Sequence, residues 1–321
     1  MDTLILKKKN EVYITVDCDP NIQREISEFF TFYVPGYKFM PAFRNRMWDG
    51  KIRLYSQKTK EIYFGLFPYI RAFAEERGYN IVSEEGVEVN NKVDKDVVKK
   101  FSNSLGQKFE ARDYQIDAIY HSLKFNRSLL LSPTASGKSF IIYSLIRYYT
   151  HLIKDAPNNR ILLIVPTTSL VEQMYSDFES YGWNVKKNCH KLYSGYSNQT
   201  DKKVLISTWQ SLYKLPKAYF EQFGCVFGDE AHLFKSKSLT EIMTKLEDCK
   251  YRIGLTGTLD GAQTHKLVLE GLFGAVNKVT STRKLMDKQQ LSNLVVRCLI
   301  LKHTVENSKM VASGKYQDEI D

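Results

Sequence analysis

A stretch of small and polar residues at positions 132–139, SPTASGKS, has the composition of a phosphate-binding loop. The apolar run SLLL precedes it and the helically spaced run FIIYSLIRYY follows it, which predicts a loop between a strand and a helix. Backbone N–H groups at a helix N-terminus favour a bound phosphate. In such a loop Gly137 allows close approach of the backbone, Lys138 reaches the β- and γ-phosphates, and the Ser139 hydroxyl coordinates Mg²⁺. The alternative is a chance glycine turn at a helix start.

A second candidate lies in CVFGDEAH, residues 225–232, where an apolar run ends in two carboxylates. Carboxylates at the carboxyl end of a parallel strand lie at the edge where such sheets bind ligands. We expect Asp229 to hold Mg²⁺ and Glu230 to orient and deprotonate the attacking water. Ordinary capping of a helix N-terminus is the alternative for this pair alone. A phosphate loop and a carboxylate pair in this order indicate one site for ATP and Mg²⁺.

The elements that must position these residues are readable from about residue 111 onward. Short segments that are apolar on both faces alternate there with segments of helical spacing, which is typical of a parallel sheet covered by helices. The apolar segments are SLLLSP, ILLIVP, VLIST, CVFGDE and YRIGLTG. The sequence therefore predicts an α/β domain over residues 101–285.

The first hundred residues have a different, mixed pattern. EVYITVD alternates like a half-buried strand, KIRLYS and EIYFGL flank a hairpin turn, and PYIRAFAEERGY has a helical pattern that ends at Gly78. The polar stretch at residues 90–113 is the predicted connection between domains. We therefore expect a small α+β domain over residues 1–100.

Charge points to a polyanionic partner for this small domain. The chain carries a net charge of +10, and residues 34–60 contain seven basic residues against the single acid Asp49. Five aromatic residues are interleaved with them: Tyr37, Phe39, Phe43, Trp48 and Tyr55. We expect a nucleic-acid-binding face that contacts the phosphate backbone and recognises the form of the nucleic acid, not its sequence. The residues expected to make these contacts are Arg44, Arg46, Lys51 and Arg53. The alternative is that the aromatic residues form the core and the charges only solvate it.

The phosphate loop and the tetrapeptide Asp229-Glu230-Ala231-His232 resemble the first motor domain of superfamily 2 helicases of the DEAH type. That family writes the loop as A-x-x-G-x-G-K-[TS], so Ser132 replaces its first residue and Ala135 its middle glycine. The resemblance implies a RecA-like parallel-sheet domain. It also implies that ATP contacts Thr134, Ala135, Ser136, Gly137, Lys138 and Ser139.

Four further segments match the family in the same order. ARDYQIDAI resembles the adenine-contacting segment and assigns that role to Arg112 and Gln115. Two segments resemble motifs that contact the nucleic-acid strand, PTTSLVEQ with Pro166, Thr167 and Gln173, and STWQSL with Ser207, Thr208 and Gln210. GLTGT resembles the segment that couples hydrolysis to strand movement, which assigns coupling to Thr256 and Thr258. We assign the same role to His232, the last residue of the DEAH tetrapeptide.

A narrower resemblance, to the UvsW-type DNA helicases of phages, rests on SPTASGKS, ISTWQSL and LFGAVNKVTSTRKLMDKQQLS. It implies action on branched DNA or RNA–DNA hybrids, in branch migration, fork regression and R-loop unwinding. An RNA helicase, a non-hydrolysing nucleic-acid annealing module and a small-molecule kinase are the alternatives. Oligomeric state is left open.

Superfamily 2 helicases have two motor domains, and the second supplies arginines to the ATP site. No Q-x-x-G-R-x-x-R-type sequence follows Thr258, so we expect the second domain to be absent and residues 286–321 to connect toward it. A truncated chain or a separate partner would explain this. Without those arginines we expect slow ATP hydrolysis.

The chain has no apolar run long enough to span a bilayer and no secretory signal pattern. Its five cysteines are scattered, which is typical of a reducing compartment. We expect no membrane partner and a cytoplasmic location, which is the host cytoplasm for a phage protein.

Overall fold

The described residues form three β-sheets: a mixed five-stranded sheet and a two-stranded sheet in the N-terminal third, and a parallel sheet of seven strands after them. The computed structural model describes residues 2–259, 263–292 and 297–298. The α/β class, with a RecA-like parallel-sheet domain preceded by a small α+β domain, is confirmed.

The small domain contains seven strands and three helices. Its strands are β1 (Thr3–Lys8), β2 (Tyr13–Asp17), β3 (Thr31–Tyr33), β4 (Lys51–Arg53), β5 (Tyr55–Ser56), β6 (Glu61–Tyr63) and β7 (Asn80–Ser83). Its helices are α1 (Pro20–Phe29), α2 (Pro41–Arg44) and α3 (Phe67–Arg77), with 3-10 turns at Tyr37–Phe39 and Phe64–Leu66. Five strands form one sheet in the order β5-β6-β2-β1-β7, and β3 pairs with β4 separately.

Local sequence explains most of these elements. Alternation along β1 and β2 places Leu4, Leu6, Ile14 and Val16 in the core. The helix α3 ends at Gly78, whose φ of 70° is in the left-handed region that glycine tolerates. The sequence did not predict β1, because its apolar patch is short and lysines follow it.

In the part of the chain that the structure describes, the larger domain contains seven strands and ten helices. Its strands are β8 (Arg127–Leu131), β9 (Arg160–Val165), β10 (Cys189–Leu192), β11 (Val204–Thr208), β12 (Phe223–Gly228), β13 (Tyr251–Thr256) and β14 (Val276–Lys278). Its helices are α4 (Lys95–Asn103), α5 (Asp113–Phe125), α6 (Lys138–Leu152), α7 (Thr168–Ser180), α8 (Val185–Asn188), α9 (Trp209–Leu212), α10 (Lys217–Phe220), α11 (Lys237–Lys245), α12 (Gln263–Phe273) and α13 (Thr282–Asp287), with a 3-10 turn at Ala231–Lys235.

The seven strands run parallel in the order β10-β11-β9-β12-β13-β8-β14. Five of them are the predicted apolar segments, and these are almost entirely buried because helices cover both faces of the sheet. The two edge strands β10 and β14 contain polar residues and were not predicted. Because all the strands are parallel, their carboxyl ends lie at one edge of the sheet.

Residues 95–103, which the sequence assigned largely to the small domain, pack on the larger one. Helix α4 contacts α5, and Val98 and Leu105 belong to the core of the larger domain. The polar face of α4 hid this in the sequence. The segment between β7 and α4 is therefore where the chain passes from one domain to the other.

The two domains are in close contact through α12 and β8. Gly65 lies so near α12 that a Cβ atom there would be 1.9 Å from the carbonyl oxygen of Glu270. The hydroxyl of Tyr69 donates to the Glu270 carboxylate at 2.6 Å. A buried ion pair, Arg127 Nη2 to Glu11 Oε2 at 2.8 Å, joins β8 to the β1–β2 turn. These contacts hold the small domain on the larger one.

Within the described ranges, no helix combines the length and apolarity needed to cross a bilayer. Helix α13 ends at Asp287, and most of the predicted connecting segment 286–321 lies outside the residues that the structure describes.

Candidate active site and nucleic-acid interface

The phosphate loop lies between β8 and α6 at the carboxyl edge of the parallel sheet. The Ser132 N–H donates to the Thr256 carbonyl at 2.8 Å, which fixes the loop to the end of β13. The Ser136 hydroxyl donates to the Pro133 carbonyl at 2.6 Å and closes the turn. Ala135, where the helicase pattern has glycine, has a φ of 64°. This left-handed conformation costs a residue with a Cβ atom about 1 kcal/mol, so the loop is strained at that position.

The side chain of Gln115 holds the phosphate loop through hydrogen bonds. This side chain is buried, its amide oxygen accepts from the Arg112 N–H at 2.9 Å, and its amide nitrogen donates to the Ser136 carbonyl at 3.0 Å. A Cβ atom at Gly137 would lie 2.4 Å from this nitrogen, so glycine is required there. The hydroxyl of Tyr114 bridges the Arg112 guanidinium and the Ser136 carbonyl. The predicted adenine-contacting residues Arg112 and Gln115 are therefore tied to the phosphate loop.

The carboxylate pair follows β12 at the same edge. The ammonium of Lys138 donates to Glu230 Oε1 at 3.2 Å, which brings the phosphate loop and the second motif together. Glu230 has a φ of 49°, a left-handed conformation that is unfavourable for glutamate and common at functional sites. Asp229 is 4% exposed and extends the sheet through its N–H bond to Ile164.

The environment of Asp229 fits a cation. Its Oδ1 atom is buried and accepts no hydrogen bond from any residue that the structure describes. Burial and the neighbouring Glu230 raise the pKa of Asp229 to about 6, with Lys138 opposing them. An unpartnered buried carboxylate is unfavourable unless a positive charge approaches it. Asp229 and Ser139 are therefore suited to holding Mg²⁺.

The three residues assigned to coupling form a chain of polar contacts. His232 Nδ1 lies 3.4 Å from Glu230 Oε2 and 3.0 Å from Thr256 Oγ1. The Thr256 hydroxyl donates to the Thr258 carbonyl at 2.7 Å, so its proton is already used and His232 Nδ1 must carry the hydrogen of their shared bond. The contacts therefore run from Lys138 through Glu230, His232 and Thr256 to Thr258.

Two residues near the phosphate loop were not predicted from the sequence. The Tyr181 hydroxyl lies 3.0 Å from the Ser139 hydroxyl, although Tyr181 follows the far end of α7. A Cβ atom at Gly257 would lie 3.5 Å from Lys138 Nζ, so Gly257 borders the same space. Only the spacing of the T-G-T sequence gives a signal for Gly257, and nothing local to Tyr181 indicates its contact.

Four of the predicted strand-contacting residues lie at the ends of β9 and β11, where Val165 pairs with Thr208. The other two lie in the helices that follow, Gln173 in α7 and Gln210 in α9. Thr167 caps α7 by accepting from the Leu170 N–H at 3.3 Å, and both Thr167 and Gln173 are exposed. Gln210 is exposed as well, whereas Ser207 is buried and its hydroxyl donates to the Leu192 carbonyl at 3.0 Å.

The same edge carries Pro166, which is half-buried, and Thr208, which is buried with its hydroxyl 3.2 Å from that of Ser211. Thr167, Gln173 and Gln210 are therefore the members of this set that present side chains to solvent.

The basic segment of the small domain, residues 34–60, also contains both exposed side chains and side chains with partners. Arg44 and Arg46 are exposed, Lys51 lies 4.9 Å from the ring of Tyr33, and Arg53 pairs with Asp49. The aromatic residues also divide. Tyr55 is in the core, Tyr37, Phe43 and Trp48 are half-buried, and Phe39 is exposed.

Comparison with protein families gives matches in both domains. Residues 4–84 match the family "DNA helicase UvsW, N-terminal", and residues 108–261 match the family "Type III restriction enzyme, res subunit". The two matched regions correspond to the small domain and to most of the larger one.

Individual relatives agree with these matches. The ATP-dependent DNA helicase uvsW of Enterobacteria phage T4 is 33% identical over 317 residues, which is 96% of this chain and 62% of that protein. The DNA 3'-5' translocase XPB2 of Sulfurisphaera tokodaii is 27% identical over 158 residues, 48% of this chain and 32% of its own length. This chain thus spans less than two thirds of each.

Solved structures show the same likeness. A crystal structure of the UvsW helicase from bacteriophage T4 superposes with a TM-score of 0.78 at 32% identity, covering 87% of this chain and 100% of that one. A second T4 UvsW structure gives 0.79 at 30% identity, covering 100% of this chain and 64% of that one.

Proposed function

The chain belongs to the UvsW family of DNA helicases, and we propose that it is an ATP-hydrolysing motor that moves along DNA. The observation that carries this proposal is the contact between Lys138 and Glu230, because it joins the phosphate loop and the DEAH segment at the ligand-binding edge of the sheet. The exposed side chains of Thr167, Gln173 and Gln210, in the segments that follow β9 and β11, offer contacts to a strand.

Each polar group of the site has a role in hydrolysis. The Lys138 ammonium offsets the charge of the phosphates, and the backbone N–H groups that begin α6 bind them. The Glu230 carboxylate accepts the proton of the attacking water. Ser139 and Asp229 are the residues that would hold Mg²⁺, which would offset charge developing on the phosphate oxygens. His232 and Thr256 transmit the state of Glu230 toward Thr258.

We further propose that the DNA is branched or is part of an RNA–DNA hybrid, and that the small domain contacts it. Exposed Arg44 and Arg46 suit phosphate groups, and nothing in the small domain resembles a helix that reads base edges. A protein surface that contacts only the phosphate backbone of DNA would distinguish DNA structures, such as branches, and would not distinguish base sequences.

A panel of nucleic acids tests the proposal. ATP hydrolysis should rise most with three-way and four-way DNA junctions, less with duplex and single-stranded DNA, and least with single-stranded RNA. Equal or stronger stimulation by RNA would indicate an RNA helicase instead. Failure of the chain to bind ATP in any condition would indicate an annealing module.

A further inference from the structure

The loop between β3 and β4 presents two large apolar side chains to solvent. Phe39 is 85% exposed and Met47 is 76% exposed, the highest values for such side chains in the described part of the chain. We call these two residues the Phe39–Met47 tip. Isolated exposed apolar residues are common on protein surfaces, so the surroundings of the tip decide whether it can bind a partner.

The tip belongs to an ordered loop and not to a frayed one. The Phe39 N–H donates to the Gly36 carbonyl at 3.0 Å, and the Met47 N–H donates to the Ala42 carbonyl at 2.9 Å. The loop is closed at its base by the bond from the Val34 N–H to the Gly50 carbonyl at 2.9 Å. The backbone therefore holds both apolar side chains away from the domain.

A stack of aromatic rings supports the loop from below. Tyr33 and Tyr37 stack with ring centroids 4.6 Å apart, and Phe43 meets Tyr37 edge-on at 4.7 Å. A Cβ atom at Gly50 would lie 2.3 Å from the Tyr37 ring, so the glycine lets this stack close. Tyr37 and Phe43 are half-buried and fill the interior of the loop, while Tyr33 is 54% exposed and stacks on Tyr37. This arrangement leaves Phe39 without an internal role.

The surroundings of the tip are positively charged. Lys38, Arg44 and Arg46 are exposed beside it, and none of the three forms an ion pair with any residue that the structure describes. The acid of the loop, Asp49, is paired with Arg53. An apolar ring among free cations suits a polyanion that also offers a flat apolar face, and a nucleic-acid base beside its phosphate has both properties.

We propose that the Phe39–Met47 tip binds an unpaired nucleobase where a DNA strand leaves a duplex, with Lys38, Arg44 and Arg46 contacting the adjoining phosphates. A base inside a duplex is already stacked on both faces, so insertion of a side chain there costs unstacking energy. A base at an open end of the column can stack on an aromatic ring without that cost. The inference rests on the proposed DNA contact of the small domain and adds the feature of branched DNA that the domain recognises.

Fluorescence anisotropy with labelled forked and fully paired DNA tests this inference on the 321-residue chain. Phe39→Ala should weaken binding to the fork by about 5-fold or more, the effect expected for one lost base–aromatic stack, and leave duplex binding unchanged. Phe39→Trp should retain fork binding. The control Val82→Ala removes an exposed apolar side chain from β7, an edge strand of the five-stranded sheet that does not include β3 or β4, and should change neither affinity.

A double-mutant cycle identifies the bound group. An abasic site at the fork junction should weaken binding by the parent protein as much as Phe39→Ala does, and should weaken binding by Phe39→Ala no further. Additive effects would overturn the proposal, as would equal losses on fork and duplex. Phe39→Ala should melt at the same temperature as the parent, because its side chain is exposed.

Two further measurements separate the possible failures. Binding to phosphatidylglycerol vesicles that depends on Phe39, with unchanged fork affinity, would make the tip a membrane contact and overturn the proposal. If Arg44→Glu and Arg46→Glu weaken fork and duplex binding alike while Phe39→Ala changes neither, the tip proposal fails and the DNA-binding function stands. If the charge reversals also have no effect, the small domain does not bind DNA.

Discussion

Lys138 and Glu230 are 92 positions apart in the chain and meet at 3.2 Å, Nζ to Oε1. The lysine begins α6 and the glutamate follows β12, so the contact exists only because β12 and β8 end at the same edge of the parallel sheet. A bound phosphate would compete with Glu230 for the ammonium, which would release the carboxylate to accept a proton.

The first prediction separates ATP binding from hydrolysis. Lys138→Ala should weaken ATP binding and abolish hydrolysis, because it removes the ammonium that offsets the charge of the phosphates. Glu230→Gln should bind ATP normally but hydrolyse it more slowly by a factor on the order of 10²–10⁴, since an amide cannot accept the proton of the water. Equilibrium binding of a fluorescent ATP analogue and single-turnover hydrolysis measure the two effects.

The exposed carboxylate of Glu221 in the same domain provides the control. Glu221→Gln should bind and hydrolyse ATP like the parent. Near-normal hydrolysis by Glu230→Gln would exclude Glu230 as the general base.

The second prediction concerns Tyr181, whose hydroxyl contacts the proposed Mg²⁺ ligand Ser139 at 3.0 Å. A hydroxyl that coordinates a cation through its oxygen needs an acceptor for its hydrogen, and Tyr181 can provide one. Tyr181→Phe should therefore weaken Mg²⁺-dependent ATP binding by about 10-fold or more and leave binding in EDTA unchanged. Equal weakening in both conditions would mean that Tyr181 only packs against the loop.

The third prediction tests the coupling chain. Thr256→Val keeps the shape of this buried residue but removes the hydroxyl that contacts His232 and Thr258. DNA should then no longer stimulate hydrolysis, while hydrolysis without DNA continues at the parental rate. Thr256→Ser restores the hydroxyl and should restore stimulation. Undiminished stimulation in Thr256→Val would place coupling elsewhere.

Much of this site was readable from the sequence because its residues occupy strand ends. Strands that are buried on both faces are almost entirely apolar, so the sequence predicted β8, β9, β11, β12 and β13. The ends of these strands in turn predicted the positions of the loops that carry the site residues. The positive φ of Ala135 could not be predicted from the residue itself, because alanine seldom adopts it, and the glycine of the helicase pattern at this position was the signal for it.

Other features depend on distant contacts and left no local pattern. Edge strands β10 and β14 gain their order from hydrogen bonds to a neighbour, so their own residues need not be apolar. The burial of Ser207 follows from its place inside β11, whereas its short motif alone suggests an exposed contact. The contact of Tyr181 with Ser139 joins residues 42 positions apart. Arg53 forms an ion pair with Asp49, whereas Arg44 and Arg46 form none with any described residue. Only the folded loop distinguishes these arginines.

The fourth prediction concerns the basic segment of the small domain. Charge reversal of Arg44, Arg46, Lys51 and Arg53 together should weaken binding to DNA of any sequence, because phosphate contacts carry no base information. Each lost contact should flatten the log–log salt dependence by about 0.7–0.9. Arg44 and Arg46 should account for most of the loss, since Arg53 is paired with Asp49. Filter binding between low and moderate salt measures both quantities.

Reversing four exposed lysines of the larger domain, Lys99, Lys100, Lys154 and Lys186, changes the net charge equally and serves as the control. ATP hydrolysis without DNA should survive in both quadruple variants. A folded variant of the basic segment with unchanged affinity and salt dependence would leave that segment a solubility role only.

The fifth prediction concerns the ion pair that joins the domains, Glu11 with Arg127, whose side chains are 12% and 9% exposed. Burial alone would raise the pKa of Glu11, but Arg127 and Lys8 lower it below its ordinary value. A carboxyl with a lowered pKa stabilises the fold fully above the ordinary value of about 4.3, and the contribution is lost as pH falls through the lowered pKa.

Glu11→Gln leaves Arg127 buried without a counter-charge and should cost about 3 kcal/mol of unfolding free energy at pH 7. Urea unfolding from pH 7 to pH 3 should show that the variant and the parent converge as the pH falls. Glu84→Gln, in the half-exposed pair with Lys7, is the control and should unfold near the parental midpoint throughout. A constant difference between Glu11→Gln and the parent across this range would mean that the carboxylate charge does not hold the domains together.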